Sequence, residues 1–151
     1  MRPAAMRSTK SRSGVADTIV IDTSAIVAIA FGEPDAPALA ECIAAASTTV
    51  ISAATYVEAA AVLCGRASDR RGALQRLDDT LAEWDTAVVP LDREQARVAA
   101  LARLKFGKSF GGPGKLNYGD TFSYALAKVR NAPLLFIGND FSQTDIESAL
   151  A

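Results

Sequence analysis

The chain has 151 residues, 50% of them hydrophobic, and a formal net charge of −1, a composition that excludes a disordered polar chain and, with no apolar run near ~18 residues, a transmembrane helix. At this length one domain is expected, burying roughly two thirds of its unfolded surface without help from disulfides. There is no histidine, which excludes Ser-His-Asp triads, histidine bases and histidine-ligated zinc, so any hydrolytic chemistry falls to carboxylates, Ser, Thr, Lys or a metal.

Residues 1–16 are rich in Arg, Lys and Ser with no acid, and are expected to form a basic flexible tail ahead of a single domain over 17–151. The tail lacks the apolar stretch of a secretory signal, which predicts a cytoplasmic protein. A basic arm touching nucleic acid is its functional alternative. Ile19-Val20-Ile21 predicts a first strand that ends at Asp22, with Thr23 and Ser24 opening a helix from Ala25 to Phe31. Pro34-Asp35-Ala36-Pro37 breaks the chain before a second helix to about Ala46. Thr48 to Ile51 predicts a strand, and Ser52 caps a helix from Ala53 to about Arg66. Leu74, Leu77, Leu81 and Trp84 mark the seam of an amphipathic helix.

Thr86 to Leu91 predicts a third strand, and Asp92 with Gln95 a capping box for a helix to about Lys105. The glycine-rich stretch from Phe106 to Leu116 predicts a mobile loop. A helix from Thr121 to Arg130 and a fourth strand from Leu134 to Ile137 follow, and Thr144 with Glu147 predicts a last short helix with Asp145 in its first turn. Strands alternating with helices predict an α/β fold with a central parallel sheet covered on both faces. Cys42 and Cys64 have no metal-ligand spacing and read as buried small hydrophobes in a reducing compartment.

Charge is unevenly placed. Between Ser13 and Gly65 there are six acids and no Lys or Arg, whereas Arg93 to Arg130 holds eight basic residues against Glu94 and Asp120. A near-neutral chain so divided can hold a polyanion beside an acidic site. Four acids stand where surface charge does not explain them. Asp22 and Asp140 follow strand ends, Asp120 opens a helix, and Glu58 lies on a helix whose neighbours at three and four residues are Ala54, Thr55, Ala61 and Val62. A carboxylate buried there without a partner costs several kcal/mol.

In a parallel sheet, strand ends and helix starts share the edge where ligands bind, so the four side chains can converge on one pocket. Two unit charges ~4 Å apart at an effective dielectric of ~20 interact by about 4 kcal/mol. The natural compensator is a hard divalent cation held by oxygen, Mg²⁺ or Mn²⁺, which also binds phosphate. Taken singly, Asp22 and Asp120 can be helix caps and Asp140 a turn residue. Thr23 and Ser24 are expected to orient Asp22, and Thr121 to do the same beside Asp120.

These residues resemble the PIN-domain ribonucleases, most closely the VapC toxins of bacterial toxin-antitoxin pairs, from about Thr18 to Leu150. The segments that carry the resemblance are Val20 to Ala25, Ser52 to Glu58, Lys105 to Lys108 with Leu116 to Ala127, and Gly138 to Phe141 with Thr144 to Ile146. The resemblance implies a three-layer α/β/α PIN fold, a Mg²⁺ or Mn²⁺ site from Asp22, Glu58, Asp120 and Asp140, and endonucleolytic cleavage of RNA. It also implies a homodimer silenced by a VapB-type antitoxin whose tail fills the groove and approaches the acids. Asn139, in the closing segment, joins Thr23, Ser24 and Thr121 as an expected supporting residue.

On the residues' own chemistry, Asp22, Asp120 and Asp140 would hold the metal, and Glu58 would ligate it or position water from a less solvated place. Arg103, Lys105, Lys108 and Lys115 are candidates to neutralise RNA phosphates, with a solvated charged face as the alternative, and Tyr118 is a candidate to stack a base or to pack. The other readings are a PIN nuclease of RNA processing, a non-catalytic interaction module and an aspartate-nucleophile phosphatase. The last wants a second acid where Ser24 stands. A dinucleotide-binding fold lacks its glycine fingerprint after the first strand.

Overall fold

Ile19-Val20-Ile21 offers no polar position to solvent, and the fold buries it on both faces, with exposures of 2%, 0% and 0%. The computed structural model describes residues 17–150; the predicted basic tail lies outside the described residues. The elements run β1 (Thr18–Ile21), α1 (Thr23–Ala30), α2 (Ala36–Ala45), β2 (Thr48–Ser52), α3 (Ala53–Gly65), α4 (Arg70–Glu83), β3 (Ala87–Val89), α5 (Arg93–Phe106), α6 (Asp120–Arg130) and β4 (Leu134–Leu135). The strands form one parallel sheet in the order β3-β2-β1-β4.

Alternation along the strands divides the core. Ile19, Ile21, Ile51 and Leu135 face one side and pack with Leu39, Ile43, Leu77 and Leu81 of α2 and α4. Val20, Val50 and Leu134 face the other, against Ala102 of α5 and Tyr124 and Ala127 of α6. This is the three-layer α/β/α sandwich that the strand-helix alternation predicts, with strands that read as unbroken apolar runs because helices cover both faces. The chain leaves β1 toward β2 and β3 on one side and returns to β4 on the other. The gap beyond the carboxyl ends of β1 and β4 is thus a topological switch point, where such sheets bind ligands.

Four local expectations are corrected. The fourth strand stops at Leu135 rather than Ile137, because the Ile137 N–H donates to the Ser24 hydroxyl at 3.2 Å and leaves the ladder. The last helix does not form. Thr144 donates to the Phe141 carbonyl at 2.7 Å and accepts from Ile146 N, and the chain then runs extended beside β4, with Leu134 N donating to Glu147 O and Ala149 N to Leu134 O, each at 2.9 Å. The open edge of β4 needs partners for its backbone groups, and that need outweighs the capping signal. In α4 the buried seam is Ala73, Leu77 and Leu81, at four-residue spacing, while Leu74 is 38% exposed. Neither cysteine is fully buried; both are free, and the Cys42 thiol donates to Ala149 O at 3.5 Å.

The glycine-rich loop is closed at its base by a parallel bridge between Gly107 and Leu116, where Lys108 N donates to Leu116 O at 2.8 Å. Leu116 is wholly buried. Arg103 adds a hydrogen bond from its guanidinium to the same carbonyl and lies over the Phe110 ring, 5.1 Å from its centroid.

With no final helix, Asp145 has another role than dipole compensation. It accepts from the Tyr124 hydroxyl at 2.5 Å and pairs with Lys128 at 2.9 Å, tying the carboxyl-terminal segment to α6, and these partners hold its carboxyl below the usual range. Tyr124→Phe is expected to cost about 1–2 kcal/mol in urea unfolding, the scale of a hydrogen bond to a charged group, whereas Lys128→Ala, an exposed pair, stays within ~0.5 kcal/mol. Equal costs for the two variants would contradict the buried phenol as the anchor.

Candidate active site

The run of β1 ends at Asp22 because its extended backbone, φ −84 and ψ 157, makes it the N-cap of α1. Its carboxylate is buried, 2% exposed, yet well supplied with donors. Oδ2 accepts from Ser24 N at 3.1 Å and Ser24 Oγ at 2.7 Å, and Oδ1 accepts from Ser123 Oγ at 2.6 Å. Since the Ser123 proton goes to Asp22, the Thr55 hydroxyl 3.1 Å away is the donor to Ser123. One aspartate thus joins α1, α6 and α3.

Asp120, the first residue of α6, is also buried, 6% exposed, but poorer in partners. Its Oδ2 accepts from Asn117 N, and its own N–H donates to Asn117 Oδ1, each at 2.9 Å. Burial first, and then the charges of Asp22, Asp140 and Glu58, push its carboxyl up to about 7 against the opposing pull of the Asn117 N–H. Those causes place all four acids in one electrostatic neighbourhood.

The four acids line a single cavity of about 440 Å³ together with Glu33 and Asn117. Glu58 projects from α3 and is half-buried, and Asp140 is exposed. The less solvated acids are therefore Asp22 and Asp120, not Glu58. Among the described residues no three acidic side chains stand close enough together, as placed, to hold a metal ion.

The donor set suits a hard divalent cation: every candidate ligand is an oxygen, from carboxylates and an amide, with no thiolate or imidazole. The cavity also has an orphan. Thr23 is among the residues that line it, and its buried hydroxyl has no hydrogen-bond partner among the described residues, a state that buried polar groups rarely keep without a ligand or water.

Several supporting residues differ from expectation. Ser24 orients Asp22, whereas Thr23 does not touch it. Thr121 donates to Tyr118 O at 2.6 Å rather than serving Asp120. Asn139 is exposed and contributes its backbone carbonyl, which accepts from the Ser142 hydroxyl at 2.7 Å. Arg103 is spent on the loop base, as described above. Lys105, Lys108 and Lys115 are exposed, and among the described residues none is in an ion pair; Lys105 lies over the Phe106 ring at 5.0 Å. Tyr118 is 74% exposed and meets Phe122 edge to face, with centroids 4.9 Å apart.

The residues missed by the sequence reading are Ser123, Thr55, Asn117 and Glu33. Helical spacing held the clue to the first two, since Ser123 lies one turn after Asp120 and Thr55 one turn before Glu58. Asn117, three residues before Asp120, has the spacing of a cap. Glu33, just past the turn at Gly32, has no such signal.

The PIN domain profile matches residues 19–147 of the chain. Ribonuclease VapC42 of Mycobacterium tuberculosis is 44% identical over 131 residues, covering 87% of this chain and 98% of that protein. Among solved structures, the fold is similar to Mycobacterium tuberculosis VapC20, described as a sarcin-ricin loop cleaving toxin, with a TM-score of 0.69 at 16% identity over 85% of this chain and 95% of that one. It is also similar to VapBC2 of Rickettsia felis bound to a promoter DNA fragment, with a TM-score of 0.66 at 14% identity over 87% and 96%.

The raised Asp120 carboxyl makes metal-free stability depend on pH. Its folded value of about 7 lies above the ordinary 3.8, so between the two the folded chain holds a proton that the unfolded chain does not. Stability is therefore present at low pH and lost as pH rises through about 7. In EDTA the melting temperature is expected to climb from pH 8 to pH 5. Asp120→Asn, which mimics the protonated form, should melt above the parent chain at pH 8 with a flatter pH profile, each kcal/mol being worth roughly 2–4 °C at this length. A parent chain whose melting temperature rises from pH 5 to pH 8 would contradict the assignment.

Proposed function

The chain belongs to the PIN-domain family, as a VapC-type ribonuclease, and from that premise we propose that it cleaves RNA with Mg²⁺ or Mn²⁺ held by Asp22, Asp120, Asp140 and Glu58. The observation that supports this reading most is the pairing of two buried aspartates, Asp22 and Asp120, in one cavity with two further acids. A group of like charges is unfavourable for the empty fold and becomes favourable only around a cation. A bound divalent ion supplies neutralisation of the phosphoryl oxygens and acidifies water for attack on phosphorus.

The chain's own residues do the rest. Ser24 and Ser123 fix both oxygens of Asp22, so that its carboxylate is held in one orientation. Asn117 fixes Asp120 through both its backbone and its side chain. The half-buried Glu58 and exposed Asp140 are the more solvated acids of the cavity, and Glu58 would ligate the ion or position the attacking water.

Substrate contacts follow from charge. Lys105, at the end of α5, and Lys108 and Lys115, on the loop that leads from it to Asn117, are exposed and, among the described residues, in no ion pair, which suits them to backbone phosphates. The exposed ring of Tyr118, held by Phe122, offers a face for an unstacked base. Arg103 is not among these contacts.

The toxin role makes a VapB-type antitoxin the natural partner. We place its tail in the apolar groove between α1, α3 and α4, of about 480 Å³, lined by Ile26, Phe31, Leu63 and Leu77 and flanked by Arg66 and Arg76. Val27 and Val62, the next residues along the same helices, line the acid cavity, so a chain in the groove can reach the site. A homodimer belongs to the same proposal; Leu101 and Leu104 on α5, 50% and 61% exposed, are apolar surface available for it. No helix of the described residues is long and apolar enough to cross a membrane.

Purified protein is expected to cleave single-stranded RNA with Mg²⁺ or Mn²⁺ and not in EDTA. Asp22→Asn and Asp120→Asn should lower the rate by more than ~100-fold, the scale of losing one group that stabilises the transition state, while the fold persists by circular dichroism. Cleavage that survives EDTA, or either variant, would sink the metal mechanism. Lys108→Ala and Lys115→Ala should each weaken RNA binding across sequences and reduce the slope of log K against log salt by ~0.7; unchanged slopes would remove these lysines from the phosphate contacts.

A further inference from the structure

We propose that Gly119 is a positioning residue for the Glu58 carboxylate. The inference rests on the metal-nuclease reading of the acid cavity and names a part of that site outside the acids themselves.

Gly119 precedes α6 with φ −65 and ψ −38, helical values open to any residue. Glycine is also a poorer N-cap than Asn, Asp or Ser, whose side chains can accept from the first turn. Backbone conformation and capping therefore give no reason for glycine here. Gly32, Gly111 and Gly138 are the opposite case, with φ of 62, 87 and 86 and open space where a Cβ would stand.

What sets Gly119 apart is the volume its missing side chain leaves. An ideal Cβ there would lie 2.5 Å from Glu58 Cδ, 3.0 Å from Oε1 and closer still to Oε2. The carboxylate of α3 thus occupies the place that any side chain at 119 would fill. Among the described residues Glu58 makes no hydrogen bond or ion pair, so no directional bond fixes its end. Contact with the bare backbone of Gly119 does so instead, one residue from Asp120 and at the α6 N-terminus, where the helix dipole favours a negative charge.

A methyl group at this position meets the far end of a long, rotatable side chain. Glu58 can swing aside at small cost in stability, but its carboxylate then leaves the cavity. The expected loss is in metal affinity, by about 10- to 100-fold, the usual effect of losing a group that orients a ligand.

The test is Mn²⁺ binding by titration calorimetry in the full chain, with Mn²⁺-dependent RNA cleavage followed in parallel, for the parent, Gly119→Ala, Glu58→Ala and the double variant. Gly119→Ala is expected to weaken Mn²⁺ by that factor and to raise the Mn²⁺ concentration for half-maximal cleavage. Its metal-free melting temperature should stay near the parent's. The double variant should bind no more weakly than Glu58→Ala alone, since the glycine acts only through the carboxylate. Parent-like binding by Gly119→Ala, or additive losses in the double variant, would overturn the inference while leaving the nuclease reading intact. Should Gly119→Ala lower stability, Glu58→Ala must restore it by removing the obstacle; a defect that persists in the double variant overturns the inference too. A parent chain that neither binds Mn²⁺ nor cleaves RNA with it overturns the nuclease reading, and the inference with it.

Discussion

Like charges gathered in a low-dielectric cavity repel, and much of this fold is arranged to hold them there. The charges of Asp22, Asp140 and Glu58 all act on Asp120 and, with its burial, raise its carboxyl. The sheet sets the acids at one edge through connectivity alone, because β1 and β4 are parallel neighbours whose following segments diverge. The core supplies the restoring force: Ile21 and Leu135, beside the two strand ends, are wholly buried. The acid cavity is thus maintained against its own electrostatics by apolar packing on both faces of four short strands.

Within that arrangement the two buried aspartates are treated differently. Asp22 is met by three donors drawn from two helices, and its position is set by hydroxyl groups that themselves have partners. Asp120 has one donor to its carboxylate and three acidic neighbours, so its proton affinity carries the electrostatic load of the site.

The surroundings follow the same economy of contacts. Arg103 is turned inward to the Leu116 carbonyl at the loop base, and among the described residues the exposed Lys105, Lys108 and Lys115 are in no ion pair. The carboxyl-terminal segment forgoes a helix to cover the edge of β4 and is locked by Tyr124 and Asp145. That segment begins just after Asp140, so the most exposed acid of the cavity is carried on a stretch anchored at Tyr124.

Much of this was legible in the residues. Unbroken apolar runs, helical periodicity, capping residues and glycine breaks located the four strands and six helices, because those signals are local and agree with the global fold. Asp22, Glu58, Asp120 and Asp140 stood out because each is an acid in an apolar setting, and no purely local role explains all four. What the residues could not reveal was set by partners distant in the chain. Ser123 reaches Asp22 across 101 positions, and Ser24 ends β4 by taking Ile137 N across 113. The capping signal at Thr144 yielded to an unpaired strand edge, Thr23 was left without the role that Ser24 fills, and the need for glycine at 119 exists only because α3 lays Glu58 against it. Sequence determined the elements and the chemistry of the site, since periodicity, capping and charge are properties of neighbouring residues; tertiary structure alone decided which hydroxyl, amide or bare backbone holds each acid, since those contacts exist only once separate helices meet.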